Sequence, residues 1–269
     1  MQVFSRRFAQ VRILTFMAIA IALPSQATTF SNASLTGSYS FLINLWTAAV
    51  NTNEFAIVGV MTFDGAGQGS AFYTQTNAGG LITSGNFSMN YTVNPNGTGT
   101  ITCTSGLTDK FAITLNSTSG GVARGVQLLQ INDNSNEVVS GTAVWLSSAA
   151  KTYSVSSLRG NFAFQGNEWT AAGQDAEEGF VGILTFDGKG NVIGSYTDMY
   201  DGELTSPTLT GTYVVKSDGF GGMLFLADNI QFTFALNSAT ASGKAKGLQF
   251  VVNNSNGLNI VRSGTALKQ

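Results

Sequence analysis

Along most of this chain apolar and polar residues alternate with a period of two, the signature of strands that present one face to a core. Phe111, Ile113 and Leu115 alternate with polar or small residues, and so do Phe232, Phe234 and Leu236. Clusters of Gly, Asn and Asp interrupt the alternation at short intervals, and no comparable stretch shows helical periodicity. The pattern predicts strands near 35–45, 55–63, 68–76, 86–93, 98–103, 110–116, 122–131 and 137–146. A second set follows near 158–165, 178–186, 191–200, 209–215, 222–227, 230–237, 243–252 and 258–267.

The second set repeats the first. Leu35-Thr-Gly-Ser-Tyr-Ser-Phe41 returns as Leu158-Arg-Gly-Asn-Phe-Ala-Phe164, and Trp46-Thr-Ala-Ala49 as Trp169-Thr-Ala-Ala172, both at an offset of 123. The same offset relates Phe63-Asp-Gly65 to Phe186-Asp-Gly188, Tyr73 to Tyr196 and Ser140-Gly-Thr-Ala143 to Ser263-Gly-Thr-Ala266. Between them, one-residue gaps align Leu115 with Leu236 and Gly125 with Gly247. Eight strands joined by short turns form an antiparallel meander, and eight is about the smallest number that closes around an interior filled by side chains or one small ligand. The expected fold is all-β: two tandem eight-stranded antiparallel up-and-down barrels of calycin-like architecture. The repeats occupy 28–146 and 158–269, with a linker at 147–157.

Residues 1–27 read as a secretory signal. Arg6, Arg7 and Arg12 precede an apolar run from Ile13 to Leu23, too short to span a bilayer as a mature helix, and Ser25-Gln26-Ala27 is a small-x-small cleavage pattern. Cleavage after Ala27 leaves 242 residues, ten basic against fifteen acidic, so the formal charge moves from −2 to −5. A sparsely charged, mildly acidic chain is unsuited to nucleic acid, which needs clustered Lys and Arg. The absence of His removes imidazole-based triads and zinc sites, and a single cysteine, Cys103, removes a disulfide framework and thiolate clusters. Cys103 reads as a small buried hydrophobe in a strand.

The turns Asp64-Gly-Ala-Gly67, Asp187-Gly-Lys-Gly190, Asn96-Gly-Thr-Gly99 and Asp218-Gly-Phe-Gly221 supply the positive φ that hairpins need, and read as turns in preference to calcium loops. Calcium is considered at a different place. Asp175, Glu177 and Glu178 in the first loop of the second copy, and Asp198, Asp201 and Glu203 around a following hairpin, replace Asn51, Glu54 and Phe55 and the polar residues 74–80 of the first copy, and their loops share one end of a barrel. The alternative is that they keep a charge-poor surface soluble. Trp46 and Trp169 close the first strand of each copy and read either as plugs of a barrel end or, with Tyr73 and Tyr196, as the wall of a ligand cavity.

The motifs Leu-x-Gly-x-Tyr/Phe-x-Phe, Phe-Asp-Gly-x-Gly, Phe-x-Phe-x-Leu and Ser-Gly-Thr-Ala together resemble repeats in secreted bacterial proteins of uncharacterised function. In architecture each copy is also similar to calycin barrels such as avidin and the lipocalins, and to the allene oxide cyclase and dirigent barrels. The lipocalin Gly-x-Trp opening is absent, with Tyr39 and Phe162 in its place, so no functional residue is carried over. Three function classes follow. The leading one is a secreted or periplasmic non-enzymatic protein that binds a small apolar molecule or a cell-surface partner, with no resident cofactor and no membrane span in the mature chain. The others are a cyclase- or isomerase-type enzyme using Glu178 or Tyr196, and a sixteen-stranded outer-membrane barrel.

Overall fold

The computed structural model describes residues 29–47, 54–77, 82–132, 137–147, 152–170, 178–200, 202–227, 229–253 and 260–269. Residues 1–27, read from the sequence as a secretory signal, lie outside them. Strands β1 (Thr36–Thr47), β2 (Phe55–Asp64), β3 (Gln68–Asn77), β4 (Ile82–Val93), β5 (Thr98–Ser105), β6 (Lys110–Ser119), β7 (Val122–Gln130) and β8 (Glu137–Ser147) pair in sequence order, and β8 returns to β1 to close a barrel. The second copy comprises β9 (Gly160–Thr170), β10 (Glu178–Phe186), β11 (Asn191–Tyr200), β12 (Glu203–Thr205), β13 (Thr208–Val215), β14 (Phe220–Phe225), β15 (Ile230–Asn237), β16 (Gly247–Asn253) and β17 (Ile260–Lys268). Here β17 pairs with β9 to close eight antiparallel strands, and the three-residue β12 is an extra strand folded back on β11. The chain is therefore two closed barrels, not a single ring of sixteen.

One end of each barrel is floored by the segment that enters it. In the first, the Phe30 amide donates to the Pro95 carbonyl at 3.1 Å and the Tyr91 hydroxyl donates to the Leu35 carbonyl at 2.8 Å. In the second, the Tyr153 amide donates to Ser217 at 3.0 Å, and the Tyr213 hydroxyl donates to the carbonyls of Val155 and Leu158 at 2.9 and 3.0 Å. The ring of Phe30 lies on Gly97 and that of Tyr153 on Gly219, both at positive φ in a hairpin turn, so a side chain there would be strained and would meet the ring. Residues 153–157, read from the sequence as linker, thus form the floor of the second barrel. At the same end the hairpin carboxylates are occupied by their own turns: Asp64 accepts from the amides of Ala66, Gly67 and Gln68 at 2.7–3.0 Å, and Asp187 from Lys189 and Asn191.

The barrels pack side by side through outward-facing residues. Leu42, Ala56 and Val58 of the first bury against Phe220, Ala235, Val251 and Val261 of the second, with Phe72 edge-on to Phe220 at 5.0 Å. Polar groups in this interface satisfy each other: Ser40 Oγ donates to Gln249 Oε1 at 2.9 Å, Gln249 Nε2 to Thr142 Oγ1 at 3.0 Å, and Ser263 Oγ to Asn44 Oδ1 at 2.9 Å. Strands at the contact are buried on both faces. All seven residues of β16 are buried, which is why Gly247-Leu-Gln-Phe-Val-Val-Asn253 hardly alternates in sequence.

The strand expected at 243–252 begins only at Gly247. The reason is an exchange of hydrogen bonds. The amides of Ser238 and Ala239 donate to the carbonyls of Trp145 and Leu146 at the end of β8, so this segment leaves its own ladder to clasp the first barrel. Leu146 is fully buried within the core of the second barrel.

Candidate functional site

The inward residues near the floor fill both barrels. In the first, Tyr39, Phe63, Met89, Tyr91, Ile101, Ile113 and Leu115 are buried together, and Tyr39 and Tyr91 both meet Phe63 edge-on. Toward the other end, the mouth, the two copies diverge.

In the first barrel the mouth half is hollow. A chamber of about 260 Å³ is walled by Phe41, Ile43, Leu45, Phe55, Ile57, Phe87, Leu107, Phe111 and Val139, with Gln75, Asp109, Gln130 and Glu137 as its polar groups. Seven of the eight strands contribute, so the space is the barrel lumen and not a surface crease. The Gln130 carboxamide donates to Asp109 Oδ1 at 3.0 Å, which fixes both groups on one wall. The opposite wall, Leu45 paired with Phe55 on one side and Val139 on the other, is apolar.

The matching space in the second barrel shrinks to about 30 Å³, enough for about one water. Three substitutions account for much of this. Ile43 facing Ile57 becomes Gly166 facing Phe180, where a Cβ on Gly166 would lie 2.3 Å from the Phe180 ring. Leu128 becomes Phe250, which crosses the lumen to pack on Phe164, Phe180 and Phe232. A further change is electrostatic. The row Leu45, Phe55 and Val139 becomes Glu168, Glu178 and Arg262, again three cross-strand neighbours. Arg262 Nε donates to Glu168, and its Nη2 donates to Glu178 at 2.8 Å. The Glu168 and Glu178 side chains are 2% and 7% exposed and that of Arg262 24%.

Burial pushes the Glu168 carboxyl up to about 7 from its ordinary value near 4.5; the neighbouring Glu178 adds to the rise and Arg262 opposes it. A raised carboxyl pKa means that the folded chain retains a proton the unfolded chain has lost. The associated stabilisation is fully present below about pH 4.5 and is lost as the pH rises through 7. The melting temperature is expected to fall across that window, and Glu168→Gln to flatten the fall; equal slopes in the two proteins would overturn this account. Asp187 acts in the opposite sense, since donors in its turn pull it down to about 2 and its contribution disappears only in strong acid.

The residues singled out from the sequence are distributed as follows. Tyr196 lines the small cavity of the second barrel, while Tyr73 packs against Phe87 at 5.9 Å and is not among the chamber walls. Trp46 follows the inward Leu45 and so lies on the outer face of β1, half-buried and away from the chamber. Trp169 pairs through its backbone with Val261, and its side chain falls outside the described residues. Asp175, Glu177 and Asp201 also lie outside them. Of the remaining acidic candidates, Glu178 turns inward to Arg262, Asp198 accepts from the Thr205 hydroxyl, and Glu203 is exposed. Among the described residues no three Cys, Asp or Glu side chains gather as metal ligands. Cys103 is buried, and burial pushes its thiol up to about 11.

Sequence reasoning missed Asp109, Gln130, Glu137, Glu168 and Arg262. The signal was available in the alignment of the copies, because Leu45, Phe55 and Val139 change together into charged residues at inward positions.

No protein-family model matches the chain, and no curated protein matches it in sequence. Two solved structures are similar to it over most of their length. One is a DUF3598-family protein of unknown function from Nostoc punctiforme, with 10% identity, 88% of this chain and 98% of its own covered, and a TM-score of 0.28. The other is a candidate AttH from Nitrosomonas europaea, with 11% identity, 95% and 99% covered, and a TM-score of 0.29. Likeness at this level does not bear on function.

Proposed function

We propose that this is an exported, non-enzymatic carrier whose first barrel holds one small, mainly apolar molecule and whose second barrel is a filled partner that braces it. The observation that supports this reading is the unequal interior: about 260 Å³ of largely apolar lumen in one copy and about 30 Å³ in the other, from the same repeat. Cavities lined by hydrophobic side chains with a few placed polar groups are where small molecules bind, and this one lies just below the usual range of about 300–1,000 Å³. The ligand is correspondingly small. Nothing among the chamber walls pairs a nucleophile with a base, which favours binding over chemistry. Export rests on the basic, apolar and small-x-small succession in residues 1–27, and a mature chain beginning at Thr28 in the periplasm or medium is its test.

The binding test is a thermal-shift titration with 1-hexanol, a ligand bound only by the native state raising the midpoint in proportion to the logarithm of its concentration. The wild type is expected to shift. A variant carrying the second copy's filling residues, Ile43→Gly, Ile57→Phe and Leu128→Phe, is expected to fold and not to shift. A wild type indifferent to millimolar 1-hexanol would end the carrier reading.

A further inference from the structure

The polar groups of the chamber specify more than a size. Its charged walls, among the described residues, are the carboxylates of Asp109 and Glu137, and no Lys or Arg lines it. Glu54, next in sequence to the wall residue Phe55, buries Oε2 without a hydrogen-bond partner among the described residues. Lys110 is exposed, on the strand position that alternates with the inward Asp109 and Phe111, and Arg124 is committed to the ring of Trp145, 3.8 Å from its centroid. Gln75 and Gln130 add carboxamide oxygens that can accept.

The second copy shows what such a ring of carboxylates takes when its partner is built in. There Glu168 and Glu178 sit in the mouth with Arg262 between them, hydrogen-bonded to both. In the first copy the position of Arg262 is Val139, and the carboxylates have moved to the walls beside and across from it. The apolar row Leu45, Phe55 and Val139 leaves room for a hydrocarbon body where the second barrel has its own ions. Asp109 and Glu137 are half-buried at the mouth, and Asp109 accepts from Gln130, so the two carboxylates set a negative potential beside an apolar space with no cation among the described walls. A cationic head is attracted there, a neutral one is not, and an anionic one adds like-charge repulsion.

We infer that the molecule held by the first barrel is an organic ammonium, a small alkyl or aryl hydrocarbon ending in a protonated amine, with the hydrocarbon among Leu45, Phe55, Ile57 and Phe111 and the ammonium against Glu137 and Asp109. This rests on the carrier reading and names the chemistry of its ligand.

The experiment uses the mature chain and three probes with one tail: hexylammonium, 1-hexanol and hexanoate, titrated by calorimetry at neutral pH. Hexylammonium is expected to bind about tenfold tighter than 1-hexanol, a difference of the size that one charged hydrogen bond supplies, and hexanoate more weakly than either. Glu137→Gln and Asp109→Asn are each expected to lower the ratio of amine to 1-hexanol affinity, and added salt to lower it in the wild type. Equal binding of the amine and the alcohol, or tightest binding of hexanoate, overturns the inference and leaves the carrier reading standing. Binding of none of the three removes both. Loss of 1-hexanol binding in the two variants would also count against the inference, since the carboxylates would then be shaping the chamber and not selecting a charge.

Discussion

Arg262→Met should destabilise the second barrel by about 3–5 kcal/mol, the cost of leaving buried carboxylates without their cation. Glu168 and Glu178 have almost no access to solvent, and each accepts a hydrogen bond from this one guanidinium. Met matches the length of the arginine stem closely enough that the packing around Phe164 and Phe232 changes little, so the loss is electrostatic. The informative comparison is the triple variant Glu168→Leu, Glu178→Phe, Arg262→Val, which installs the residues the first copy uses at the same three places. Replacing a whole buried ion cluster with hydrophobic residues of suitable shape is often neutral or stabilising. The triple variant is therefore expected to unfold in urea at or above the wild-type midpoint, and the single variant far below it. If the single variant is as stable as the triple one, the three residues do not act as a unit in the folded chain.

Val251→Asp should be the most damaging single change outside the barrel interiors. Val251 is fully buried and faces the other barrel within a contact made by the apolar side chains of Leu42, Ala56, Val58, Ala235 and Val261. An unpaired buried charge is among the few mechanisms that cost on the order of 4 kcal/mol or more. Because the side chain points away from the lumen of its own barrel, both barrels keep their own cores. The expected result is that one cooperative urea transition in the wild type separates into two, with the first barrel's 1-hexanol response surviving in the variant. A single transition at an unchanged midpoint would show that the side-by-side packing contributes nothing to stability.

Strand number, barrel closure and duplication were legible because they rest on local signals: alternation, Asp-Gly and Asn-Gly turns, and a repeat read at a fixed offset. Most strand ends agree within about two residues. The failures share a cause. The segment 243–246 reads as strand because its composition allows it, but its neighbours Ser238 and Ala239 bond to β8 of the other copy, a contact separated by more than ninety residues of sequence. The hollow and the filled lumen were not distinguishable by composition, since both copies are rich in Phe. What differs is where the bulk is placed: Ile43 with Ile57 leaves space that Gly166 with Phe180 closes. The acidic loops drew attention because charge is conspicuous in a charge-poor chain, whereas Asp109 stands just before β6 and Glu137 opens β8, where parity decides whether a side chain points to solvent or to the lumen.

The clasp between the copies also sets an order of assembly. Leu146, in the last strand of the first barrel, is a core residue of the second, and the carbonyls of Trp145 and Leu146 hold the Ser238–Ala239 turn. The first eight strands depend on no later residue for closure, whereas the next eight close on a piece of the earlier barrel. Synthesis from the N-terminus delivers the two halves in that sequence, so each stretch of nascent chain emerges when the surface it must fold upon already exists.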